Sequence, residues 1–282
     1  IMDAVELAAK ILREGRIPQA PQEWKVGARV HRLDVREKVL GYGEYTDDLY
    51  LPGMVHASAV RSAYPRARVL AIHKEEALAL PGVLGVFTAD DIPGLVKVGH
   101  LKRDWFALVP VGEITHYLGD AICLVVAETP EILQQAKALV KVDYEALVPV
   151  TCPAEAMADD APQLHPGGNL LAHKQVHRGD ARKAIANSRY VVGRTFHTPF
   201  TEHAFLEPEC AVALPKGDGV LIYTSDQGTY DTQHETAPML AMGKEQVMVE
   251  NKLVGGGFGG KEDVTVQHHA ALCALLTGRP VK

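Results

Sequence analysis

Five glycines surround a single phenylalanine in one short stretch, which runs from Gly255 to Glu262 with the sequence GGGFGGKE. Residues without a Cβ atom let backbone N–H groups approach a ligand closely and adopt unusual φ and ψ angles at little cost. This stretch, called the glycine loop below, therefore predicts a binding site for an anionic or oxygen-rich ligand.

Two phosphate-binding patterns also fit the glycine loop. Gly255, Gly257 and Gly260 satisfy the dinucleotide pattern G-x-G-x-x-G, but no Asp or Glu follows Asp263 to bind a ribose. The P-loop pattern is satisfied as far as its lysine, whereas the Ser or Thr that should follow is Glu262. A carboxylate at that position would repel a phosphate, so the P-loop interpretation fails. The dinucleotide interpretation stays a weak alternative, because the given sequence ends at Lys282 and cuts its test short.

Three segments together resemble the molybdenum-binding part of the xanthine dehydrogenase and aldehyde oxidase family of molybdenum hydroxylases. They are VGGGFGGKE at 254–262, TSDQ at 224–227 and HAFLEP at 203–208. The resemblance implies that the chain is the N-terminal part of a molybdenum-binding subunit of the purine hydroxylase kind. Further segments follow the family order: KVLG at 38–41, YTDD at 45–48, LPGM at 51–54, RS at 61–62, PRA at 65–67, LPGV at 80–83, and LGD at 118–120 leading to VVAET at 125–129.

The resemblance implies that the protein supplies hydrogen bonds rather than direct metal ligands. In the family, the dithiolene of a pterin cofactor (molybdopterin) and oxygen and sulfur ligands hold the molybdenum. The stretch Gly257–Gly260 is expected to bind the cofactor, with the backbone N–H groups of Phe258 and Gly259 near an oxygen ligand of the metal. Gln227 is expected to donate its side-chain amide to an oxo group. The family usually has Ser-Thr-Gln here, so Asp226 is a departure.

Glu262 is expected to bind the substrate. Family members that hydroxylate purines carry Glu directly after Gly-Gly-Lys, where it hydrogen-bonds the heterocycle, whereas aldehyde-oxidising relatives tend to have an apolar residue there. Glu262 therefore favours a purine or another N-heterocycle over an aldehyde. The structural alternative is a surface carboxylate stabilised by a helix N-terminus.

The implied reaction is oxidative hydroxylation with water as the oxygen source. Electrons would leave through 2Fe–2S clusters to FAD or another acceptor on other segments or subunits. The family's general-base glutamate has no counterpart here and is expected downstream, so no catalytic residue is assigned and the chain is expected to be inactive alone. The expected partners are the remainder of the molybdenum subunit and the 2Fe–2S and flavin domains, in an oligomer. The alternatives are an aldehyde-oxidising member and a non-catalytic scaffold, which a large apolar surface would favour.

Glu207 and Glu209 alternate on a predicted strand and share one face, as an acid/base pair would. The intervening Pro208 favours a fixed bend instead, and the resemblance implies a role in shaping the pocket. The histidines lack a metal-ligand spacing, and the four cysteines contain no C-x-x-C pair. We therefore expect no protein-held metal, and we expect all four cysteines to be buried, reduced thiols.

The elements predicted around these residues indicate an α+β fold in two parts. Residues 26–150 contain short β-type runs and one clear helix, Pro130–Leu139, with Thr129 as its N-cap and Pro130 at the first helical position. The resemblance implies a hammerhead-type α/β domain for this part. The predicted strands lie near Val55–Val60, Val83–Phe87, Ala121–Val126 and Val140–Tyr144.

A connector rich in Ala, Asp, Pro and Gly at 151–169 separates this part from residues 170–282, which the resemblance identifies as the first part of a molybdopterin-binding mixed α/β domain. The strand before the glycine loop and the helix after it place the loop at a helix N-terminus. The predicted elements are a helix Ala181–Ala186 with Asp180 as N-cap, strands Tyr190–Thr198, Phe205–Leu214, Val220–Thr224 and Val247–Val254, and a helix Asp263–Thr277.

The N-terminal stretch predicts a helix over Met2–Glu14, followed by an extended linker at 16–23. The resemblance implies that residues 1–25 are the last helix of an upstream 2Fe–2S domain plus a linker, so the sequence is expected to be a piece of a longer chain. The alternative is an ordinary N-terminal helix that caps the next domain.

Length and charge limit the class of protein. The 282 residues, 47% of them hydrophobic, can bury two medium cores. The net charge of −6 comes without a basic block, which argues against nucleic acid or an anionic membrane as a partner. No apolar run approaches the roughly eighteen residues of a membrane span, and no signal pattern is present. A soluble, cytoplasmic protein is expected.

Overall fold

The computed structural model of the protein describes residues 9–15, 25–28, 30 and 32–282. Contacts divide it into two compact units. One unit is His56–Ala204, and the other combines the described residues up to Val55 with Phe205–Lys282. The domain boundaries proposed from the sequence, at 25, 150 and 169, stay predictions.

The described residues form short strands and helices in alternation. The helices are α1 (Val35–Leu40), α2 (Glu75–Leu78), α3 (Pro130–Leu139), α4 (Pro153–Ala156), α5 (Ala181–Ala186), α6 (Thr229–Met239) and α7 (Gln267–Thr277). The strands are β1 (His56–Arg61), β2 (Ala67–His73), β3 (Val83–Phe87), β4 (Lys97–Val98), β5 (Trp105–Phe106), β6 (Ala121–Ala127), β7 (Lys141–Ala146), β8 (Ala211–Lys216), β9 (Gly219–Thr224) and β10 (Val247–Asn251).

Strand β6 is the centre of the His56–Ala204 unit. It pairs antiparallel with β1 on one side and β3 on the other, and all seven of its residues are buried. Alternate side chains of a strand point to opposite faces, so β6 serves two apolar clusters. Cys123 and Val125 pack with Leu133 of α3, whereas Ile122 packs with Val69 of β2.

Helix α3 begins and ends where the sequence predicts. Thr129 is its N-cap, and its Oγ1 accepts a hydrogen bond from Ile132 N at 3.3 Å. Helix α5 likewise matches its predicted bounds, and Asp180 Oδ1 accepts from Lys183 N at 2.9 Å. Both caps satisfy N–H groups that a helix start leaves without partners, which is why the sequence signals are reliable.

The second unit contains a β-α-β crossover. Strands β9 and β10 pair in parallel, with Val220 opposite Val247 and Thr224 opposite Asn251, and α6 connects them. Strand β8 pairs antiparallel with the other edge of β9, so the order is β10-β9-β8. Helix α7 packs on β8 and β9. This arrangement confirms mixed α and β structure around the glycine loop.

Both ends of this unit's chain join its sheet. Tyr45 forms a parallel bridge with Leu253, just before the glycine loop. Val281 bridges Ala213 of β8 on one side and Val55 on the other, so the last residues lie between two other chain segments. Segments distant in sequence therefore complete one sheet.

Three predicted elements differ from the structure. No strand forms at Tyr190–Thr198, where residues 188–204 are exposed without a ladder partner, and the strand predicted from Phe205 begins only at Ala211. Helix α7 begins at Gln267 instead of Asp263, because Gln267 Oε1 accepts from the N–H groups of Thr265 and Val266 and ends the preceding turn there.

Other predictions hold in part. The strand before the glycine loop ends at Asn251, three residues early. Residues 9–14 are helical, but the start of the predicted N-terminal helix and the linker at 16–23 lie outside the described residues. The expectation that all four thiols are buried is wrong for Cys152 and Cys210, which are half-buried; none of the four forms a disulfide. No helix in the described part of the chain has the length and apolar character needed to cross a bilayer.

We expect the sheet around β9 to depend on the packing of Ile222, which is fully buried. Ile222→Ala should lower the free energy of unfolding by about 2–5 kcal/mol and Ile222→Val by about 0.5–1.5 kcal/mol, because each deletion leaves a cavity. Urea unfolding followed by circular dichroism measures both. Met248→Ala on β10, where the side chain is half-exposed, is the control and should change the value by less than about 0.5 kcal/mol. Equal losses for Ile222→Ala and Met248→Ala would contradict this packing.

Candidate functional site

The parallel pairing of β9 and β10 brings two functional segments together. Strand β9 leads into the turn Ser225–Gly228, and β10 leads into the glycine loop. Because Thr224 lies opposite Asn251, the two strands end at the same edge of the sheet. Ligands of α/β sheets bind outside the carboxyl ends of such strands, which makes this edge the candidate site.

The glycine loop folds into consecutive tight turns. Gly260 N donates to Gly257 O at 2.8 Å, and Glu262 N lies 3.4 Å from Gly259 O. Phe258 has a φ of +54°, a left-handed conformation that costs a non-glycine residue of order 1–3 kcal/mol. Its side chain is 74% exposed, and its N–H group makes no hydrogen bond to a described residue. The loop therefore presents a strained, outward-facing phenylalanine and a free backbone donor.

Gln227 is held by the glycine loop through three hydrogen bonds. Its backbone N donates to Lys261 O at 2.8 Å. Its side-chain Oε1 accepts from Gly259 N at 2.9 Å and from Lys261 N at 3.4 Å. Two backbone donors converge on one side-chain atom, so that atom must be the oxygen, which assigns the orientation of the amide. The Nε2 group makes no hydrogen bond within the described residues and is left to donate to a ligand.

Glycines are required where the loop meets Gln227 and Glu207. A Cβ atom on Gly257 would lie 2.5 Å from Gln227 Oε1, and one on Gly255 would lie 2.4 Å from the Cβ of Glu207. A Cβ on Gly259 would meet nothing within 4 Å, but its φ of +89° favours glycine. The structure thus brings together Gln227 and the stretch Gly257–Gly260, as the sequence predicts. Gly259 N–H is directed at Gln227, and its contact with a metal ligand stays a prediction.

Asp226, the departure from the usual family tripeptide, stabilises the turn that carries Gln227. Its Oδ2 accepts from Thr232 Oγ1 at 2.7 Å, and its Oδ1 accepts from Gly228 N at 3.2 Å, so the carboxylate secures the start of α6. Asn251 pairs with the backbone of Asp226 on both sides, at 3.1 Å and 2.9 Å. Burial raises the pKa of the Asp226 carboxyl, although these hydrogen bonds oppose the shift.

A buried ion pair lies beneath the loop, and sequence analysis did not identify it. Lys261 Nζ is 2.9 Å from Glu207 Oε2, and the two side chains are only 2% and 9% exposed. The ammonium group is thus unable to reach a ligand outside the loop, which argues against the P-loop interpretation. Glu207 is engaged structurally by Lys261 and by the backbone N–H group of Gly255. The sequence signal available was the GK dipeptide, which indicates phosphate binding and is misleading here.

Glu262 follows the turns of the loop and is exposed. Because α7 begins at Gln267, Glu262 does not lie at a helix N-terminus, and the predicted stabilisation by a helix dipole is wrong for this residue. Its carboxylate makes no hydrogen bond to a described residue. The side chain can therefore accept hydrogen bonds from a ligand that lies against the loop.

Two family profiles match most of the chain. One, described as the a/b hammerhead domain of aldehyde oxidase and xanthine dehydrogenase, covers residues 40–148. The other, described as the molybdopterin cofactor-binding domain, covers residues 164–282. The second match includes both Gln227 and the glycine loop.

Individual relatives agree with these matches. A probable xanthine dehydrogenase subunit from Bacillus subtilis is 36% identical over 89% of this chain and 34% of its own length. The nicotinate dehydrogenase large molybdopterin subunit of Eubacterium barkeri is 33% identical over 91% of this chain and 60% of its own length. The chain thus spans about a third to three fifths of these relatives.

Solved structures share the fold. The aldehyde oxidoreductase of Desulfovibrio gigas superimposes with a TM-score of 0.84 and 27% identity, over 97% of this chain and 32% of that one. Quinoline 2-oxidoreductase from Pseudomonas putida gives a TM-score of 0.78 and 27% identity, over 93% of this chain and 35% of that one.

The Asp226 network predicts a pH-dependent stability. With a folded-state pKa above its unfolded value of 3.8, the carboxyl stabilises the fold most fully below that value, and the contribution is lost as the pH rises through the folded pKa. The free energy of unfolding should therefore become increasingly lower for Asp226→Asn than for the wild type as the pH drops from 7 towards 4. Urea unfolding at each pH measures the difference. Asp226→Ala should lose about 1–3 kcal/mol at pH 7 because buried donors lose their acceptor. The exposed Asp90→Asn is the control, and an Asp226→Asn profile parallel to the wild type would contradict the assignment.

Proposed function

This chain belongs to the xanthine dehydrogenase and aldehyde oxidase family of molybdenum hydroxylases, and we propose that it forms one part of the cofactor and substrate pocket of an enzyme that oxidatively hydroxylates a purine or another N-heterocycle. Water would supply the oxygen atom. The observation that carries the proposal is the orientation of Gln227, whose amide N–H group is kept free by the glycine loop.

The residues of the site fit the molybdenum cofactor. Gln227 Nε2 and the Phe258 N–H group are donors without partners in the described residues, as a ligand rich in oxo groups requires. Gly257 allows the backbone to approach Gln227 more closely than any other residue would. The cofactor, when bound, would supply the two-electron oxidation. The donors of Gln227 and Phe258 would hold and orient it.

Glu262 supports an N-heterocyclic substrate. Its exposed carboxylate follows the cofactor-facing turns and can accept a hydrogen bond from a ring N–H group or an adjacent hydroxyl. An aldehyde offers no such donor, so a carboxylate there would be desolvated without compensation. The names of three similar proteins, for xanthine, nicotinate and quinoline, refer to N-heterocycles. The D. gigas protein is named for aldehydes, which keeps an aldehyde substrate as the second candidate.

The cofactor content can be measured in the complete molybdenum subunit, purified natively with its partners. We expect near-stoichiometric molybdenum and pterin in the wild type. Gln227→Ala, and Gly257→Ala through its clash with Gln227, should reduce both contents severalfold. Metal analysis and pterin fluorescence after release measure this. His234→Ala, at an exposed position of α6, is the control; a tight complex that lacks molybdenum and pterin would favour the scaffold alternative.

The role of Glu262 in substrate choice can be measured at constant cofactor content. Glu262→Ala should lower kcat/KM for an N-heterocycle about 10–100-fold, a loss of one charge-assisted hydrogen bond of about 1.5–3 kcal/mol. The same change should leave or raise the rate with an aldehyde. Glu262→Gln keeps the size and one acceptor, so its kcat/KM for the N-heterocycle should lie between the values of the wild type and Glu262→Ala. Equal losses on both substrate classes would contradict a substrate-binding role for Glu262.

The exposed segment at residues 188–204 supports the remainder of the molybdenum subunit as a partner. This segment has strand-forming residues but no ladder in the described structure, and it lies within the match to the cofactor-binding domain. Val192, Phe196 and Phe200 are spaced four residues apart along it and are 81%, 85% and 107% exposed. Exposed apolar residues with unpaired backbone groups are typical of a surface that another chain segment covers. We propose that the rest of the subunit supplies the missing strand, and that domains with 2Fe–2S clusters and a flavin accept the electrons.

Hydrogen exchange tests whether the rest of the subunit pairs with this segment. The backbone N–H groups of 190–198 should exchange rapidly in the isolated chain and at least about tenfold more slowly in the complete subunit, because a strand partner would protect them. Phe196→Asp should reduce recovery of the assembled subunit, whereas Leu101→Asp, also highly exposed, should not. Rapid exchange of 190–198 in both preparations would contradict the proposed pairing.

A further inference from the structure

Lys261 connects three separate segments of the candidate site. Its Nζ contacts Glu207 Oε2 at 2.9 Å and Ser225 Oγ at 3.2 Å, and lies 4.8 Å from the centre of the Phe205 ring. The segment 205–207, the turn after β9 and the glycine loop therefore meet at one ammonium group. A lysine that is only 2% exposed must keep such partners, because an unpaired buried charge is costly.

The backbone of the same lysine holds Gln227. Lys261 O accepts from Gln227 N at 2.8 Å, and Lys261 N lies 3.4 Å from Gln227 Oε1. Any displacement of Lys261 would therefore move the acceptor and one of the donors that orient the Gln227 side chain. The position of the lysine side chain and the orientation of the glutamine amide are mechanically linked.

Glu207 holds the start of the glycine loop. The Oε2 atom that pairs with Lys261 also accepts from Gly255 N at 2.6 Å. The other oxygen, Oε1, is buried and has no partner in the described structure. One carboxylate thus contacts both ends of the loop, at Gly255 and at Lys261, and fixes the distance between these two ends.

We propose that Lys261 and Glu207 are positioning residues for Gln227: their buried ion pair fixes the glycine loop so that the Gln227 Nε2 donor faces the cofactor. The inference rests on the proposed function only in the identity of the ligand that Gln227 binds. Neither side chain touches that ligand. Both act through the backbone of the loop, and Lys261 has no role as a phosphate-binding lysine.

The two residues differ in what their removal leaves behind. Lys261→Met leaves a buried carboxylate without its cation, which is strongly unfavourable. Glu207→Gln leaves the Lys261 ammonium group without its anion, but it retains the shape and one acceptor for Gly255, so its cost should be smaller than that of Lys261→Met. Combining the two changes removes both buried charges, and replacing both members of a buried pair is often tolerated. The double variant should therefore regain stability relative to Lys261→Met.

Hydrogen exchange of the loop provides a test that needs no cofactor. In the wild-type chain, the Gly259 and Gly255 N–H groups are protected by Gln227 and Glu207. Lys261→Met should speed their exchange at least about tenfold, Glu207→Gln by a smaller factor, and the double variant by less than Lys261→Met. The matched control is Lys252→Met, which breaks a less buried pair with Glu44 at 3.1 Å, where the side chains are 20% and 54% exposed, and should change these rates less than about twofold. Unchanged exchange in Lys261→Met would overturn the proposal.

A second measurement separates positioning from simple stability. In the complete subunit, Glu207→Gln should alter the molybdenum electron paramagnetic resonance spectrum in the same direction as Gln227→Ala, with each spectrum normalised to the molybdenum content of its sample. A spectrum identical to that of the wild type would overturn the positioning role. If the wild-type subunit contains no molybdenum, the proposed function fails, and the exchange rates alone decide whether the ion pair orients Gln227.

Discussion

The in-register parallel pairing of β9 with β10 is the constraint on which the site depends. Because Thr224 and Asn251 are opposite each other, the turn after one strand and the loop after the other begin at the same level. Asn251 then crosses to the Asp226 backbone and fixes the turn against the neighbouring strand end. A slip of one residue would displace the loop by about 3.3 Å relative to the turn, which is more than a hydrogen bond tolerates.

The contacts of the loop's lysine distinguish between chemically different uses of one glycine-rich sequence. A phosphate-binding lysine must extend its ammonium group towards the ligand, whereas Lys261 turns inward to Glu207 and Ser225. The remaining outward groups are neutral donors and the carboxylate of Glu262. The loop therefore lacks the outward-facing cation that a phosphate-binding lysine supplies, and its neutral donors are suited to accepting groups such as oxo ligands. The fold places the positive charge where it organises the loop.

Local signals predicted much of the fold, and long-range contacts account for the rest. Helix α3 and helix α5 were predicted with their bounds because Thr129 and Asp180 cap them locally. Helix α6 was not predicted, since its buried side carries Thr232, Glu235 and Thr236, and a polar buried face gives no amphipathic pattern. Strand-forming residues at 190–198 predicted a strand, but a strand also needs a neighbour to pair with.

The site residues also divide into those that have a local sequence signal and those that depend on long-range contacts. Gln227 and the glycine loop were identified because their motifs are contiguous in sequence. The Lys261–Glu207 pair joins residues 54 positions apart, and neither position has a local pattern that predicts burial. The sequence marks Asp226 only as a departure from a motif. Its hydrogen bond with Thr232 depends on α6, which the sequence pattern does not predict.

The bridges that Val281 makes to Ala213 and Val55 bear on the order in which the chain acquires structure during synthesis. The unit that carries the glycine loop needs contacts such as that of Arg279 with Gly53, which are 226 positions apart. The bridges from its early segment, at Tyr45 and Val55, therefore form only after the residues near 253 and 281 have been synthesised, whereas the intervening unit, His56–Ala204, has its sheet partners within itself. Domains generally fold as units during synthesis, so the inserted unit would be the first to gain a core. The early segment around Val55 would meanwhile remain an unpaired strand edge, a period in which chaperone binding or aggregation competes with folding.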